Sequence, residues 1–535
     1  MLRTIVQGTT EAFAAMLVCY LSGIAFGSLL APRAARRTAP LRALGFFQLA
    51  AAALTFIGIA AAPQIVRLLV LVHGAPEVVP HDPGVLLFAS ALLLLPLGIA
   101  LGTSVPLVFS STSDDPRTAG AHAGRVLAAS TLGGLAGALI AGFVIVPLPA
   151  IGGLERALYY VAVIHVVIAT IALTATAGGS SLRRVASALG PAAFLTCAVA
   201  IGPSLELPFL LDAWFDPVDA AIAGPTDTDA PPLFLEEGRS TTVTILQRDR
   251  TLRLFNDGRP ESGLTFEEPG FGPELVLLGG LPSLFAEQTD RALMIGLGGG
   301  HSTTMLHAGP FRRIDVVELE ASVVTAARKL YQLRNAESAT PLSFPLDDPS
   351  RVRYRIDDAR AQLAFAEAGS YDAIVSQPSH PWFAGASALF TREFFLEVKR
   401  ALREGGVLSQ WINVFRMDAT GLRSLLATLR SVFEHAVAFM AEDSSLVVLA
   451  SDRPIVFDRR IEARFDASPE LLRYFGPYRL DGTTALLSVL ELDDAGLAAF
   501  ARGGEILVDD RPTLEHRLSR IPHKQSMSYR DLDEA

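Results

Sequence analysis

The run Ile295-Gly296-Leu297-Gly298-Gly299-Gly300-His301 follows a short apolar segment and precedes a helix-like one. Glycines permit a sharp turn and let the backbone approach a ligand that a side chain would block. Gly296, Gly298 and Gly300 are therefore candidate cradle residues. Glu318 ends the next apolar segment, about 20 residues on, where a carboxylate can hold ribose hydroxyls. Taken alone, the first is also an ordinary tight turn and the second a solvated strand end; together they point to a nucleoside site. Asp357 and Asp358 end a third segment, and one of them, Asp358 by preference, is placed to accept from an adenine amino group. Asp358 also suits a helix N-cap, and the two roles can coexist. A fourth segment, Tyr371 to Ser376, runs into Gln377-Pro378-Ser379-His380-Pro381-Trp382. Pro-rich aromatic loops at strand ends often cover active sites, although an ordinary surface connection reads the same way.

The elements that would position these residues follow a repeating pattern. Strands are expected at 292–295, 314–318, 352–356, 372–376 and 406–412, with helices at 321–331, 391–403 and 418–432. Two late strands, at 436–440 and 445–450, close the pattern. Strands alternating with helices predict a doubly wound, mostly parallel sheet, whose ligands bind at the C-terminal strand ends. Upstream, 240–254 alternates in polarity and Asn256-Asp257-Gly258 is a turn signal, which predicts a small β-hairpin subdomain. The expected organisation is a transmembrane domain at 1–205 and a linker at 206–235. A hairpin subdomain with a lead-in helix at 236–290, the nucleoside-binding domain at 291–455 and an extension at 456–535 complete it. The extension predicts a few helices and a disordered polar tail after Arg520.

The motifs occur in a specific order: Gly-x-Gly-x-Gly, Glu318-x-Glu320, Asp357-Asp358-Ala359-Arg360, Tyr371-Asp372-Ala373-Ile374 and the Gln377 loop. Leu389 to Phe395, Gly405 to Trp411, Asn256-Asp257-Gly258 and Leu278 to Pro282 fit as well. Over residues 233–450 the chain resembles the spermidine synthase (polyamine aminopropyltransferase) family, and more closely its membrane-fused branch. The resemblance implies a class I methyltransferase-like, Rossmann-like fold. It further implies decarboxylated S-adenosylmethionine, or S-adenosylmethionine itself, as co-substrate, a small-molecule polyamine as acceptor, and no metal. Relatives of this fold often dimerise, so a homodimer is an open expectation. In this family an amine attacks carbon next to a sulfonium, and a carboxylate both holds the polyamine and accepts the proton lost. This sequence departs there. The family's catalytic Asp falls at Gln377 and its second acidic position at His380. Glutamine is neither a base nor a charge. His380 can act as a base near neutral pH, or simply be a surface residue. Trp382 and Asp257 fall on the substrate side. The family's pocket tyrosine and glutamine are not evident, and Glu261 lies near one of those places. Three readings stay open: aminopropyl transfer, methyl transfer from intact S-adenosylmethionine, and a non-catalytic membrane sensor or transporter of polyamine or nucleoside.

Composition sets the surroundings. The chain has 535 residues, 50% of them hydrophobic, and a net charge of -10. The acidic balance argues against a nucleic-acid partner. Cys19 and Cys197 sit in apolar stretches and read as packing residues. Residues 1–205 contain six apolar stretches, near 10–31, 42–61, 85–110, 126–148, 157–177 and 185–203, each matching the roughly 20 residues a bilayer requires. A multi-pass cell-membrane protein in contact with lipid is the expectation. Small residues, Gly23, Gly27 and the group Gly133, Gly134, Gly137 and Gly142, predict close helix packing. His165 is the lone ionisable residue near mid-span, and hydrogen bonding to a neighbouring helix is its ordinary role. Arginines at 33, 36, 37, 42, 117, 125, 183 and 184 fall on one side, which the positive-inside rule makes cytoplasmic. Six crossings would then leave the C-terminal domain outside. Either one stretch does not cross, or residues 63–73 insert, or the domain is extracytoplasmic.

Overall fold

The computed structural model describes residues 10–73, 83–112, 117–145, 153–177, 181–202, 204–205, 232–248, 250–267, 270–381, 385–414, 417–442, 445–511 and 513–518. The expected linker falls mostly on residues 206–231, and the expected tail on 519–535, both outside the described residues. The chain divides into two units, Met1–Ala230 and Pro231–Ala535.

The first unit is helical: α1 (Thr10–Arg37), α2 (Pro40–His73), α3 (Pro83–Gly102), α4 (Ser104–Thr112), α5 (Ala119–Ile140), α6 (Leu154–Thr176) and α7 (Ser181–Ile201). With α3 and α4 taken together, six stretches among the described residues are long and apolar enough to cross a membrane. Residues 63–73 form no separate helix. They extend α2 through Pro63 to 34 residues, about 50 Å of helix. Gly23 of α1 and Gly98 of α3 let two backbones meet. A Cβ on Gly23 would lie 2.7 Å from the Leu95 carbonyl oxygen, and one on Gly98 2.8 Å from that of Tyr20. The cluster at Gly133, Gly134, Gly137 and Gly142 behaves differently, because an added Cβ there meets nothing within 4 Å. Small residues permit close approach but do not compel it, and α5 buries none of its side chains. His165 Nδ1 lies 2.5 Å from Gln48 Oε1, and Gln48 Nε2 donates to Ser104 Oγ at 2.9 Å, so the histidine has a neighbouring-helix partner.

The second unit begins with an antiparallel sheet, β1 (Phe234–Glu237), β2 (Thr242–Arg248), β3 (Thr251–Asn256) and β4 (Arg259–Thr265), in that order. The Asn256-Asp257-Gly258 turn joins β3 to β4, with φ of +50° at Asp257 and +79° at Gly258, the twist a tight hairpin needs. The expected turn thus closes the β3–β4 end of a four-stranded sheet.

The eight-stranded sheet contains β5 (Arg291–Ile295), β6 (Arg313–Glu318), β7 (Val352–Ile356), β8 (Tyr371–Ser376), β9 (Leu402–Asn413), β10 (His435–Glu442), β11 (Ser445–Ser451) and β12 (Leu490–Leu492). Its order is β12-β10-β11-β9-β8-β5-β6-β7. Strands β7, β6, β5, β8 and β9 are parallel, while β11, β10 and β12 add antiparallel pairs at one edge. This is a Rossmann-like methyltransferase arrangement. β12 comes from the C-terminal extension, read from sequence as helices only. Three residues carry too little pattern to show a strand before a partner edge exists.

Helices α8 (Pro273–Phe285), α9 (His301–Ala308), α10 (Ala321–Glu337), α11 (Ala359–Phe365), α12 (Arg392–Ala401) and α13 (Ala419–Arg430) accompany the sheet. α8 is buried without a break from Leu275 to Leu284, being a core helix too short to cross a bilayer. α12 stops at Ala401, so Arg403, expected in the helix, lies in β9. The chain runs outward from β5 to β7 and returns to β8 on the other side of β5. The crevice between the C-terminal ends of β5 and β8 is the switch point where such sheets bind ligands.

Candidate functional site: a glycine cradle among buried carboxylates

The switch point is built from Gly296 at the end of β5 and Gln377 at the end of β8. Gln377 N–H donates to the Ile295 carbonyl at 2.9 Å. Gly296, Gly298 and Gly300 have φ of +80°, +52° and +84°, a region that L side chains rarely adopt. At Gly296 an added Cβ would lie 2.5 Å from the Gln377 carbonyl oxygen. Glycine is therefore a requirement of the turn as well as of any ligand approach. Gly300 hands the chain to α9.

Glu318 closes one side. Its carboxylate accepts from Leu297 N–H at 2.8 Å and Glu320 N–H at 3.0 Å, which ties the end of β6 to the cradle. Burial pushes its carboxyl up against the pull of those N–H groups. The second acid of the Glu-x-Glu pair turns away. Glu320 accepts from Arg239 N–H at 2.9 Å, Ser240 N–H at 2.8 Å and the Ser240 hydroxyl at 2.6 Å, and so holds the β1–β2 turn.

Asp357 donates its own N–H to the Glu318 carbonyl at 3.0 Å and accepts from Asp358 N–H at 2.9 Å. Asp358 caps α11 by accepting from Ala361 N–H at 3.0 Å. Both are exposed. The cap is the role the geometry displays, and an oxygen not used in it remains available to a ligand amine.

On the opposite side, Gln377 Oε1 accepts from the Ser302 hydroxyl at 3.0 Å, which fixes the amide over the cradle. A Cβ on Gly298 would stand 3.7 Å from Gln377 Nε2. The side chain thus presents a donor where a carboxylate would present charge. His380 turns toward β9, its Nε2 lying 3.4 Å from Asn413 Nδ2 and its ring edge-on to Trp411 at 5.9 Å. Trp382 lies outside the described residues. Asp257 accepts from Thr242 N–H at 2.8 Å and fastens the β3–β4 turn to β2.

The structure gives Glu261 on β4 a larger part than the sequence did. It accepts from the Ser379 hydroxyl at 2.9 Å, joining the antiparallel sheet to the loop after β8. Burial pushes its carboxyl up; Arg259 and the Ser379 bond oppose this, while Glu318 and Asp257 add repulsion. Sequence reading had no means of pairing residues 118 apart.

His301 was missed altogether. It is buried at 2% exposure, its Nδ1 meets the Ser262 hydroxyl at 2.9 Å, and its ring stacks on Phe271 at 4.8 Å. Tyr474 of the extension stacks on Phe271 in turn at 5.3 Å. Burial, with Arg334 second, pushes His301 down to about 3. A histidine titrates near 6.5 when unfolded, so its folded value is depressed. The neutral form contributes stability that is complete above about 6.5 and is lost as pH falls toward 3. Urea midpoints measured from pH 7 to pH 4 should fall less steeply in His301→Gln than in the parent.

The site therefore combines a backbone cradle, two carboxylates that burial makes harder to ionise and, among the described residues, one nearby cation, Arg259. Three comparisons bear on it. Residues 275–442 match the Spermine/spermidine synthase domain. The chain is 30% identical over 180 residues to putrescine N-methyltransferase 1 of Nicotiana tabacum, covering 34% of this chain and 45% of that protein. It is 29% identical over 160 residues to spermidine synthase 1 of Hyoscyamus niger, covering 30% and 48%. The chain thus spans about half the length of the curated relatives it matches. A probable spermidine synthase structure from Corynebacterium glutamicum aligns at 22% identity and a TM-score of 0.38, over 52% of this chain and 97% of the other. The domain match and the two sequence relatives support the spermidine synthase family for residues 275–442.

Proposed function

We propose that the C-terminal unit transfers an alkyl group, aminopropyl by preference, from an adenosyl sulfonium to a polyamine, and that the first unit anchors it in the cell membrane as a multi-pass domain. The carrying observation is a pair of carboxylates at one cradle with little cationic compensation. Burial pushes the Glu261 and Glu318 carboxyls up at one cradle, and among the described residues no cation faces either apart from Arg259 near Glu261. A sulfonium and an ammonium would supply the missing charge. Decarboxylated S-adenosylmethionine fits this better than the intact molecule, whose own carboxylate would meet two more.

In this reading Gly296, Gly298 and Gly300 receive the nucleoside, Glu318 the ribose and Asp358 the adenine. The acceptor nitrogen attacks the CH2 bonded to sulfur. A C–N bond forms, the C–S bond breaks with its electron pair going to sulfur, and methylthioadenosine leaves as a neutral thioether. The nitrogen sheds its proton to the Glu261 carboxylate, which takes the part that Gln377 cannot. Gln377, held by Ser302, orients the incoming groups by donating a hydrogen bond. Methyl transfer is the second reading, favoured by the likeness to putrescine N-methyltransferases.

Calorimetry on the full chain in detergent decides between them. Tighter binding of the decarboxylated co-substrate, by about tenfold or more, with an aminopropylated product from putrescine, is expected. Tighter binding of the intact form would move the assignment to methyl transfer. For the anchor, the chain should stay with the membrane pellet after alkaline carbonate extraction, and its release would contradict the spanning role.

A further inference from the structure

We infer that the C-terminal unit has a second ligand site, for a phosphate-bearing anion, on the open sheet face across β5, β6 and β7. In the parallel register Arg291 lies opposite Arg313, Asp315 opposite Arg353, and Val317 opposite Arg355. Side chains alternate along a strand, so all four arginines and Asp315 point to the same face. They line a groove of about 450 Å³ together with Gln362. α11, which covers this face nearer the cradle, is only 7 residues long and leaves the groove open.

The charges in the groove do not balance. Asp315 accepts from Arg291 Nε at 2.6 Å and from Arg313 Nε at 3.2 Å, so one carboxylate serves two guanidiniums. Among the described residues Arg355 reaches only the Gln362 amide, at 3.4 Å. Arg353 makes no ion pair among the described residues. Three positive charges are left over, in a chain whose net charge is -10. Like charges on adjacent strands are destabilising, and an anion bound among them removes that cost. The site is also preorganised: the Arg291 guanidinium lies 4.6 Å over the Tyr371 ring and is held by Asp315.

The chemistry of the ligand follows from the donors. Planar guanidinium forks match phosphate oxygens bidentately. Neighbouring strands are about 4.8 Å apart, so donors on three strands span roughly 10 Å, the reach of linked phosphates more than of a single carboxylate. The groove begins at the N-terminal ends of β5 and β6, whereas the cradle is at their C-terminal ends, so the two sites are separate. A free polyphosphate and an anionic lipid headgroup offer the same chemistry.

The test is calorimetry on the full chain in a neutral detergent. The probes are inorganic pyrophosphate and a short-chain phosphatidylglycerol kept below its micelle concentration. Saturable binding of either is expected, weakening with salt. Binding should fall at least tenfold in the double variant Arg353→Ala/Arg355→Ala, whose melting temperature should match the parent because both side chains are exposed. Pyrophosphate binding would assign a free phosphate ligand, and binding of the lipid alone would assign a headgroup. Binding of neither probe, or binding unchanged in the double variant, would overturn the site.

Discussion

Glu261→Gln should lower kcat for alkyl transfer by about 100-fold or more while raising the melting temperature at neutral pH. The activity loss follows from the proton that the attacking amine must give up. A positioned base typically contributes 10²–10⁴-fold, and Gln377 offers none. The stability gain follows from the direction of the shift. Burial holds the Glu261 carboxyl above its ordinary value, so the folded state binds its proton more tightly than the unfolded one. Such a group contributes stability that is complete below the unfolded value and is lost as pH rises through the folded value. At neutral pH the charged form is a cost, and a neutral isostere removes it. The same shift sets the pH profile: kcat/KM should rise with pH through the elevated Glu261 value, and the glutamine variant should lack that limb. A variant that keeps parental kcat would remove Glu261 from the reaction. The Ser379 bond supplies a control, since Ser379→Ala leaves the carboxylate in place and should shift the limb upward in pH, because that bond favours the charged form.

Gly296→Ala should abolish co-substrate binding and strongly destabilise the unit, whereas Gly298→Ala should destabilise it less and weaken binding. Both positions have positive φ, which costs a non-glycine residue about 1–3 kcal/mol. Their surroundings differ. At Gly296 the new Cβ would stand 2.5 Å from a backbone oxygen of Gln377, which cannot swing aside without parting β5 from β8. At Gly298 the nearest atom is the end of the Gln377 side chain at 3.7 Å, an ordinary contact. Chemical denaturation together with calorimetric titration of the two variants separates the effects. Equal destabilisation in both would mean that backbone conformation alone dominates and that the closeness of Gln377 is immaterial.

The two substitutions bear on the most unusual feature of the site. The loop after β8 begins with an amide, Gln377, while a carboxylate, Glu261, reaches the same loop from β4. Ser379 ties Glu261 of β4 to the loop after β8, and Ser302 of α9 holds Gln377 at the start of that loop. In the proposed reaction Glu261 would supply, from β4, the carboxylate that Gln377 lacks.

Features with short-range causes were legible in the sequence. Four of the five parallel strands show as mostly apolar runs and β7 as an alternating Val-Arg-Tyr-Arg-Ile, the β3–β4 turn as Asn-Asp-Gly, and the cradle as glycines, because each rests on propensities within a few residues. The apolar stretches of the first unit were legible for the same reason, since span length is a one-dimensional property, although the continuation of α2 through Pro63 depended on packing. Asp358 as an N-cap was equally local. What only the tertiary structure decided is which distant groups meet and what their neighbours cost. The link between Glu261 and Ser379, the diversion of Glu320 to the β1–β2 turn, and the pairing of β12 with β10 all join residues far apart in the chain. His301 looked like the last residue of a glycine motif, and its deep burial came from Phe271 and the aromatic stack that reaches Tyr474. Charge and burial are collective quantities: a carboxylate's affinity for its proton is set by everything that excludes water around it, and no spacing along a chain contains that.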